Sequence, residues 1–244
     1  MTPAAIRSFY SALRAANPEP RTELVYATPY QLLVAVILSA QATDRSVNAA
    51  TAQLFHVAPD AATMLKLGEV RLKQHIRTIG LFNGKAAHII AASQLLLDRH
   101  GGDVPADRAA LEALPGVGRK TANVVLNAAF GVETIAVDTH LYRVANRTGL
   151  ASGATPRAVE ERLLAVTPAE FLRHAHHWLI LLGRYTCKAR RPLCAQCLVA
   201  RYCGYAHQEL GTATAAAVKA ARAPRKSPRA RRRPPRATPK ATRS

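Results

Sequence analysis

Residues 111–127 read LEALPGVGRKTANVVLN, which predicts two short helices joined by a glycine turn. Pro115 ends the first helix, because proline has no N–H and clashes with the preceding turn. Gly116 and Gly118 can adopt backbone angles closed to other residues and leave bare N–H groups at the surface. The second helix begins here, so unpaired donors and the positive end of its dipole form an anion site. We therefore expect a phosphate to bind at this turn.

Lys120 lies in the first turn of the second helix and has two interpretations. The helix dipole disfavours an ammonium group at this end, and a desolvated amine is a nucleophile that can form a Schiff base with an aldehyde-like carbon. Alternatively, Lys120 simply contacts the phosphate. The stretch alone does not choose between these two roles.

The run LPGVGRKTA in this helical context resembles the helix-hairpin-helix of the endonuclease III family of DNA base-excision glycosylases. The nucleophilic lysine of that family falls on Lys120. The resemblance also implies that Gly116, Gly118 and Arg119 contact DNA.

Composition and charge favour an all-helical protein with a polyanionic partner. Hydrophobic residues make up 49% of the 244 residues and aromatic residues only 5%. The net charge of +19 indicates nucleic acid, with an anionic membrane as the weaker alternative. Eleven of the 34 Lys and Arg residues lie between Thr212 and Ser244, yet the rest of the chain still has more bases than its 15 acids.

The chain also predicts where the protein works. No apolar signal region follows Met1, and the apolar run Leu32–Ala40 is far shorter than the ~20 residues that span a bilayer. We therefore expect a cytoplasmic monomer that associates with the nucleoid through DNA and has no membrane partner. In that reducing compartment the four cysteines are not expected to form disulfides.

Helical spacing and capping residues predict a series of short helices, and no stretch shows convincing strand alternation. Thr28 and Pro29 mark the start of a helix that is apolar on all sides. The other predicted helices are 3–16, about 45–56, a short one after Pro59-Asp60, 68–76, 85–100, one capped by Asp107, and two opened by Thr155-Pro156 and Thr167-Pro168.

The segment IAVDTHLYR, residues 135–143, contains a second candidate catalytic residue. Asp138 follows an apolar run and can act either as a helix N-cap or as a catalytic carboxylate. Further along, His174, His176 and His177 are interpreted as surface or helix-packing residues, since no second ligand set is near them in sequence.

Four cysteines fall within seventeen residues, at Cys187, Cys194, Cys197 and Cys203. Thiolates this close bind either zinc or an iron–sulfur cluster. The C-x6-C-x2-C-x5-C spacing matches the 4Fe–4S loop of the endonuclease III family, so the resemblance implies a 4Fe–4S cluster. Three cations between the first two cysteines would form a phosphate clamp: Lys188, Arg190 and Arg191.

By this resemblance the fold is all-α, with two helical domains flanking a DNA-binding cleft. One domain has six helices, spans residues 21–132 and ends in the hairpin. The other combines residues 1–20 with 133–211 and holds the cluster. Residues 212–244 have too little apolar surface to fold, and we interpret them as a disordered basic tail that tethers the protein weakly to DNA.

The resemblance implies a bifunctional DNA glycosylase and AP lyase that acts on oxidised pyrimidines and abasic sites. Lys120 attacks the sugar C1′ of a flipped nucleotide, and Asp138 stabilises the developing positive charge. The Schiff base then permits β-elimination, which nicks the strand. Gln41 and Leu81 are expected to fill the gap in the duplex, and His140 to lie beside Asp138.

Three alternatives compete with this interpretation. Adenine-mismatch glycosylases share the hairpin and cluster, but they need a catalytic carboxylate on the helix before Gln41, and no acid lies between Pro29 and Gln41. A non-catalytic DNA-binding protein with a structural metal needs neither Lys120 nor Asp138. A small electron carrier fits poorly with a charge of +19.

Overall fold

The computed structural model of the protein describes residues 1–209 and is built from helices, with no strand in that range. Residues 182–186 form a π-helical turn after the last long helix, and two 3-10 turns lie among the cysteines. Ten α-helices lie wholly within this range: α1 Pro3–Ala16, α2 Pro29–Ser39, α3 Asp44–Val57, α4 Ala61–Ile76, α5 Phe82–His100, α6 Arg108–Glu112, α7 Arg119–Phe130, α8 Thr139–Thr148, α9 Pro156–Val166 and α10 Ala169–Leu181. Residues 204–209 are also helical.

Capping residues set most of the helix starts that the sequence predicts. The Thr28 hydroxyl accepts from the Gln31 N–H, and Pro29 opens α2. The Asp107 carboxylate caps α6 through the Ala110 N–H at 2.8 Å. These side chains replace partners that the first N–H groups of a helix lack, which confirms the predicted starts.

The helices predicted after Pro59-Asp60 and from Gly68 onward are both present, as the two arms of α4, which is kinked at Gly68 with φ 76°. Two other helix starts differ from the prediction. Helix α10 begins at Ala169, because Pro168 is its N-cap and Thr167 ends α9 instead of capping the next helix. Helix α5 begins at Phe82 instead of Lys85, and its N-cap residue Leu81 has φ 59° and no side-chain cap. Leu81 carries no capping side chain, so no sequence signal marked this start.

The buried side chains form two separate hydrophobic clusters. The first surrounds α2, whose residues from Tyr30 to Leu38 are all buried, and it extends through α3 to α7. The second joins α1 to the helices after residue 135, and Tyr10, Phe171 and Trp178 form its aromatic centre. The domain boundaries at residues 20 and 132 remain a prediction, and the predicted tail at 212–244 lies outside the described residues.

Polar contacts connect the two clusters around one cavity. The Arg184 guanidinium, after α10, pairs with Glu23 in the connector and with Asp44 at the start of α3. On the other side, Arg119 of α7 pairs with Glu160 of α9. These ion pairs fix the two halves relative to each other. Within residues 1–209, no helix has both the length and the apolar character needed to cross a membrane.

Candidate active site

The predicted hairpin is present between α6 and α7. The Val117 N–H donates to the Leu114 carbonyl at 3.0 Å, and the buried side chains of Leu114 and Val117 anchor the turn in the first cluster. Gly116 has φ 79°, and a Cβ at this position would lie 2.8 Å from the Cβ of His88. Residue 116 therefore has to be glycine for the turn to pack on α5.

Gly118 has a different environment from Gly116. It is the N-cap of α7 with an ordinary φ of −94°, and no atom lies within 4 Å of the place where its Cβ would be. No side chain caps the helix here. The turn therefore exposes backbone N–H groups toward open space, as an anion site at a helix N-terminus requires.

Lys120 and Asp138 line the same cavity, which lies between the two clusters. Lys120 projects from the first turn of α7, and Asp138 comes from the start of α8. The remaining walls come from α2, α3, the 21–24 connector and α10 with the turn after it. An amine and a carboxylate thus share one concave site on the molecule.

An extended segment pinned to α7 places Asp138. After Gly131 ends α7, the Asn127 amide donates to the carbonyls of Val132 and Thr134 at 3.2 and 3.3 Å. The Thr134 hydroxyl in turn donates to the Asn123 carbonyl at 2.7 Å. Because these bonds tie the segment to the helix that carries Lys120, side-chain-to-backbone hydrogen bonds set the spacing of the two candidate catalytic residues.

The carboxylate of Asp138 is also the N-cap of α8. Its Oδ1 accepts from the N–H groups of His140 and Leu141 at 2.8 and 2.9 Å. The N-cap interpretation is therefore confirmed, and the residue also lines the cavity, while its catalytic role stays a prediction. His140 follows two residues later, half-buried, and its Nδ1 lies 3.2 Å from an Arg143 nitrogen.

Two histidines of α10 enter the same cavity wall. His176 and His177 are both buried, so the packing interpretation is confirmed for them and the surface interpretation is wrong. Burial, with the charge of Lys120 contributing, lowers the pKa of His176 well below its ordinary value. The Nδ1 of His176 has no hydrogen-bond partner among the described residues. His174 is half-buried and packs against Trp178.

Arg119 is held by an acid within the protein. Its Nε and one terminal nitrogen bond the Glu160 carboxylate at 2.8 to 3.1 Å, and this acid is almost fully buried. The nearby Arg108 also lies 3.7 Å from Glu160. A role of Arg119 in DNA binding stays a prediction, and in this arrangement its guanidinium fork is occupied.

The two residues predicted to fill a gap in DNA lie on separate exposed loops. Gln41 follows α2 with φ 56°, and Leu81 precedes α5 with φ 59°. Leu81 is 68% exposed despite its apolar side chain. Neither residue lines the cavity of Lys120 and Asp138.

The four cysteine side chains surround one small cavity at the end of the second cluster. Two arginines of α8 hold the loop that follows the first cysteine. Arg143 donates to the Cys187 carbonyl at 2.9 Å, and Arg147 donates to the carbonyls of Lys188 and Ala189 at 2.7 and 2.6 Å. The side chains of Lys188, Arg190 and Arg191 are exposed on this loop.

Comparisons with known proteins agree with this fold and site. The profile described as "HhH-GPD superfamily base excision DNA repair protein" matches residues 34–169, more than half of the chain. The helical fold with its hairpin therefore defines a protein of base excision DNA repair.

Within that class, full-length relatives specify the family. Endonuclease III of Escherichia coli (strain K12) is 61% identical over 193 residues, which are 79% of this chain and 92% of the relative. Endonuclease III of Treponema pallidum is 59% identical over 198 residues, or 81% and 94% of the two chains. The chain belongs to the endonuclease III family.

Solved structures place the fold in the same family. A trapped endonuclease III–DNA covalent intermediate matches with a TM-score of 0.81 and 40% identity, covering 86% of this chain and 99% of that one. A thermostable thymine-DNA glycosylase matches with a TM-score of 0.75 and 25% identity, covering 84% and 98%. The interpretations as an electron carrier or as a non-catalytic DNA-binding protein are therefore wrong.

Several residues around the site had no signal in the sequence. Glu160, Arg143 and Arg147 act through contacts with residues more than 40 positions away. Such pairings depend on how helices pack, and no local pattern predicts them.

Proposed function

We propose that this protein is a bifunctional DNA glycosylase and AP lyase that removes oxidised pyrimidines and cleaves the strand at abasic sites. Its family membership supports the repair reaction, and the structural neighbours include endonuclease III bound to DNA. The observation that carries the residue assignment is the shared cavity of Lys120 and Asp138. A DNA substrate implies that the enzyme works in the cytoplasm, at the nucleoid.

Lys120 is the proposed nucleophile. The lone pair of its Nζ forms a bond to C1′ of the extruded nucleotide while the bond from C1′ to the base breaks and the base leaves with a proton. Loss of the amine protons and opening of the sugar ring give a C1′ imine, which is the Schiff base. This imine acidifies the C2′ proton, so its removal expels the 3′ phosphate and nicks the strand. Water then hydrolyses the imine and releases the amine.

Asp138 is the proposed partner of this amine. Its carboxylate stabilises the positive charge that develops on the sugar, and it relays protons around Nζ. The two backbone N–H groups that bind Oδ1 keep the carboxylate in place. Because the carboxylate is already held in one orientation, the reaction does not have to bear the entropy cost of ordering it.

Phosphate contacts are proposed at two places. The open N-terminus of α7 at Gly116 and Gly118 binds one DNA phosphate through backbone N–H groups. The exposed Lys188, Arg190 and Arg191 clamp another part of the backbone. Gln41 and Leu81 fill the gap left by the flipped nucleotide, and His140 lies near Asp138 as α8 begins.

The four cysteines are the proposed ligands of a 4Fe–4S cluster. Cys187, Cys194, Cys197 and Cys203 line one cavity. The C-x6-C-x2-C-x5-C spacing, which resembles that of the family's 4Fe–4S loop, supports the cluster over a zinc ion. When bound, the cluster cross-links the loop through four metal–thiolate bonds.

Borohydride trapping tests the central assignment. The wild-type protein is expected to form a reduced covalent adduct with duplexes that carry an abasic site or thymine glycol, and not with an adenine mismatch. Lys120→Gln keeps DNA binding and loses trapping, because the amide has no nucleophilic lone pair. Lys66→Gln removes a charge from an exposed lysine of α4 and serves as the control. Undiminished trapping by Lys120→Gln would exclude Lys120 as the nucleophile.

A further inference from the structure

Two loops of the first cluster each present an exposed residue in a left-handed backbone conformation. Gln41 and Leu81 are the non-glycine residues with positive φ among the described residues, at 56° and 59°. This region is disfavoured for side chains with a Cβ, which crowds the following carbonyl oxygen. Such strain persists only where the surrounding structure holds it in place. Contacts elsewhere in the protein must therefore keep the backbone of both loops in this conformation.

Lys85 caps the helix that leads into the first loop. Its Nζ donates to the carbonyls of Leu38 and Ala40 at 2.9 and 2.6 Å. Leu38 lies in the last turn of α2 and Ala40 is its C-cap, where helix geometry leaves the acceptors without partners. Gln41 comes directly after Ala40, so the ammonium of Lys85 fixes the backbone from which Gln41 projects.

The same lysine is also tied to the second loop. Lys85 lies in the first turn of α5, and its backbone N–H donates to the Leu81 carbonyl at 3.2 Å. One residue thus contacts both loops, with its main chain on the Leu81 side and its side chain on the Gln41 side. The two loops are 40 positions apart in the sequence.

Lys85 occupies an environment that is unfavourable for lysine in every other respect. It is only 6% exposed, and it lies in the first turn of α5, where the dipole repels a cation. No carboxylate pairs with it within residues 1–209. The carbonyls at the negative end of α2 are the partners that offset this cost.

We propose that Lys85 is a positioning residue that fixes the distance between the Gln41 and Leu81 loops, so that both side chains enter the DNA gap together. The inference rests on the proposed function, because a gap forms only when a nucleotide leaves the duplex. Lys85 itself touches neither the sugar nor the cavity of Lys120.

Comparing one abasic strand in two forms tests this role. A single-stranded abasic oligonucleotide has no gap to fill, and the same strand in a duplex does. We expect Lys85→Met to nick the single strand at the wild-type single-turnover rate and the duplex about tenfold more slowly. Methionine keeps the length and apolar stem of the side chain but has no N–H to donate.

A fluorescent base reports the wedge directly. In a duplex with 2-aminopurine opposite a tetrahydrofuran abasic analogue, the wild type increases fluorescence as its loops displace the base. Lys85→Met is expected to lose most of this increase. The matched control, Lys66→Met, removes an exposed lysine and is expected to leave both the rate ratio and the fluorescence within about twofold of wild type.

The two failures can be told apart. If the wild type nicks neither form of the strand, the proposed function is wrong. If it nicks both and Lys85→Met slows both equally or neither, the positioning role is wrong. If the methionine variant does not fold, two other variants replace it. Lys85→Arg keeps the charged donors and is expected to retain the ratio of the duplex nicking rate to the single-strand nicking rate, whereas Lys85→Gln is expected to lower it. Equal ratios in these two variants overturn the proposal.

Discussion

At the residue scale, Asp138 combines an observed structural role with a proposed chemical role. Oδ1 accepts two backbone N–H groups at the start of α8, whereas the residue as a whole lines the cavity that it shares with Lys120. Substitutions can separate these roles, because asparagine caps a helix about as well as aspartate does.

Asp138→Asn is expected to lower base release by about a hundredfold or more, because the amide carries no charge to stabilise the sugar cation. Its free energy of unfolding stays within about 0.5 kcal/mol of wild type, since the cap is retained. Asp138→Ala loses activity as well and is about 1 kcal/mol less stable. Urea unfolding and single-turnover release of thymine glycol measure the two quantities. Near-full activity of the asparagine variant would leave Asp138 as a cap alone.

The two glycines of the hairpin turn form a second pair that can be separated. Gly118→Ala meets open space at an ordinary φ, so we expect it to lose only about 0.5–1 kcal/mol of unfolding free energy, because alanine is a poorer N-cap than glycine. Affinity for DNA falls about tenfold, since a methyl group blocks the close approach of a phosphate to the backbone.

Gly116→Ala is expected to affect the stability of the protein first. The new Cβ clashes with His88 at a left-handed φ, and the variant loses about 1–3 kcal/mol of stability. Equilibrium unfolding and titration with an undamaged duplex check both glycines. Equal DNA affinity of the Gly118 variant and the wild type would argue against phosphate binding at this turn.

Residue patterns predict the chemistry better than they predict the supporting contacts. Lys120 and Asp138 are marked by motifs in the sequence, and they do line one cavity. Glu160, which occupies the fork of Arg119, has no such marker, because 41 positions separate the two residues. The sequence therefore contains no sign that Glu160 occupies this fork, and DNA binding by Arg119 stays a prediction.

At the element scale, α10 places two uncharged histidines inside the protein. Burial, with the nearby charges of His174 and Arg173, lowers the pKa of His177 from 6.5 to about 4. Burial, then the charges of His177 and Lys120, lowers the pKa of His176 well below 6.5. Because the unfolded chain binds protons on these rings at a higher pH than the native protein does, acid favours unfolding.

We therefore expect the free energy of unfolding to fall as the pH drops from about 6.5 toward 4, by about 3 kcal/mol from His177 alone. The stabilisation is fully present above 6.5. His177→Gln is expected to flatten this slope, whatever it does to the stability at neutral pH. His56→Gln, at an exposed position of α3, keeps the slope. Urea midpoints measured at a series of pH values give the comparison, and an identical slope in His177→Gln would contradict it.

Element boundaries are predictable where a side chain makes the cap. Thr2, Thr28 and Thr155 cap α1, α2 and α9, and each precedes a proline that suits the first helical position. Leu81 starts α5 through backbone conformation alone, so the sequence placed that start three residues too late. Cap chemistry is local, whereas a left-handed turn held by Lys85 depends on the position of α2.

At the scale of the whole molecule, ion pairs hold the two hydrophobic clusters around the cavity. Glu160 of α9 is almost fully buried and pairs with Arg119 and Arg108, which are each about a third exposed. The Arg184 guanidinium makes a second connection to Glu23 and Asp44. Packing defines two cores, and these pairs set the orientation of one against the other.

Glu160→Gln is expected to lower the free energy of unfolding by about 1–3 kcal/mol, because two arginines lose the charge that balances them in a partly buried site. Glu161→Gln on the same helix breaks an exposed pair with Arg157 and changes stability by less than about 0.5 kcal/mol. Chemical unfolding of both variants, measured at low and high salt, makes the comparison. If both variants lose the same free energy of unfolding, the buried Glu160 contributes no more to stability than the exposed Glu161 does.

Helix α8 connects Asp138 in the cavity to the cysteine loop. Asp138 is its N-cap, and Arg143 and Arg147 further along the helix hydrogen-bond the loop that begins at Cys187. A helix turns about 100° and rises about 1.5 Å per residue. One residue inserted between Asp138 and Arg143 therefore swings the cysteine loop to another face of the helix while the carboxylate stays where it is. The number of residues between Asp138 and Arg143 therefore sets how the cysteine loop is oriented relative to the carboxylate.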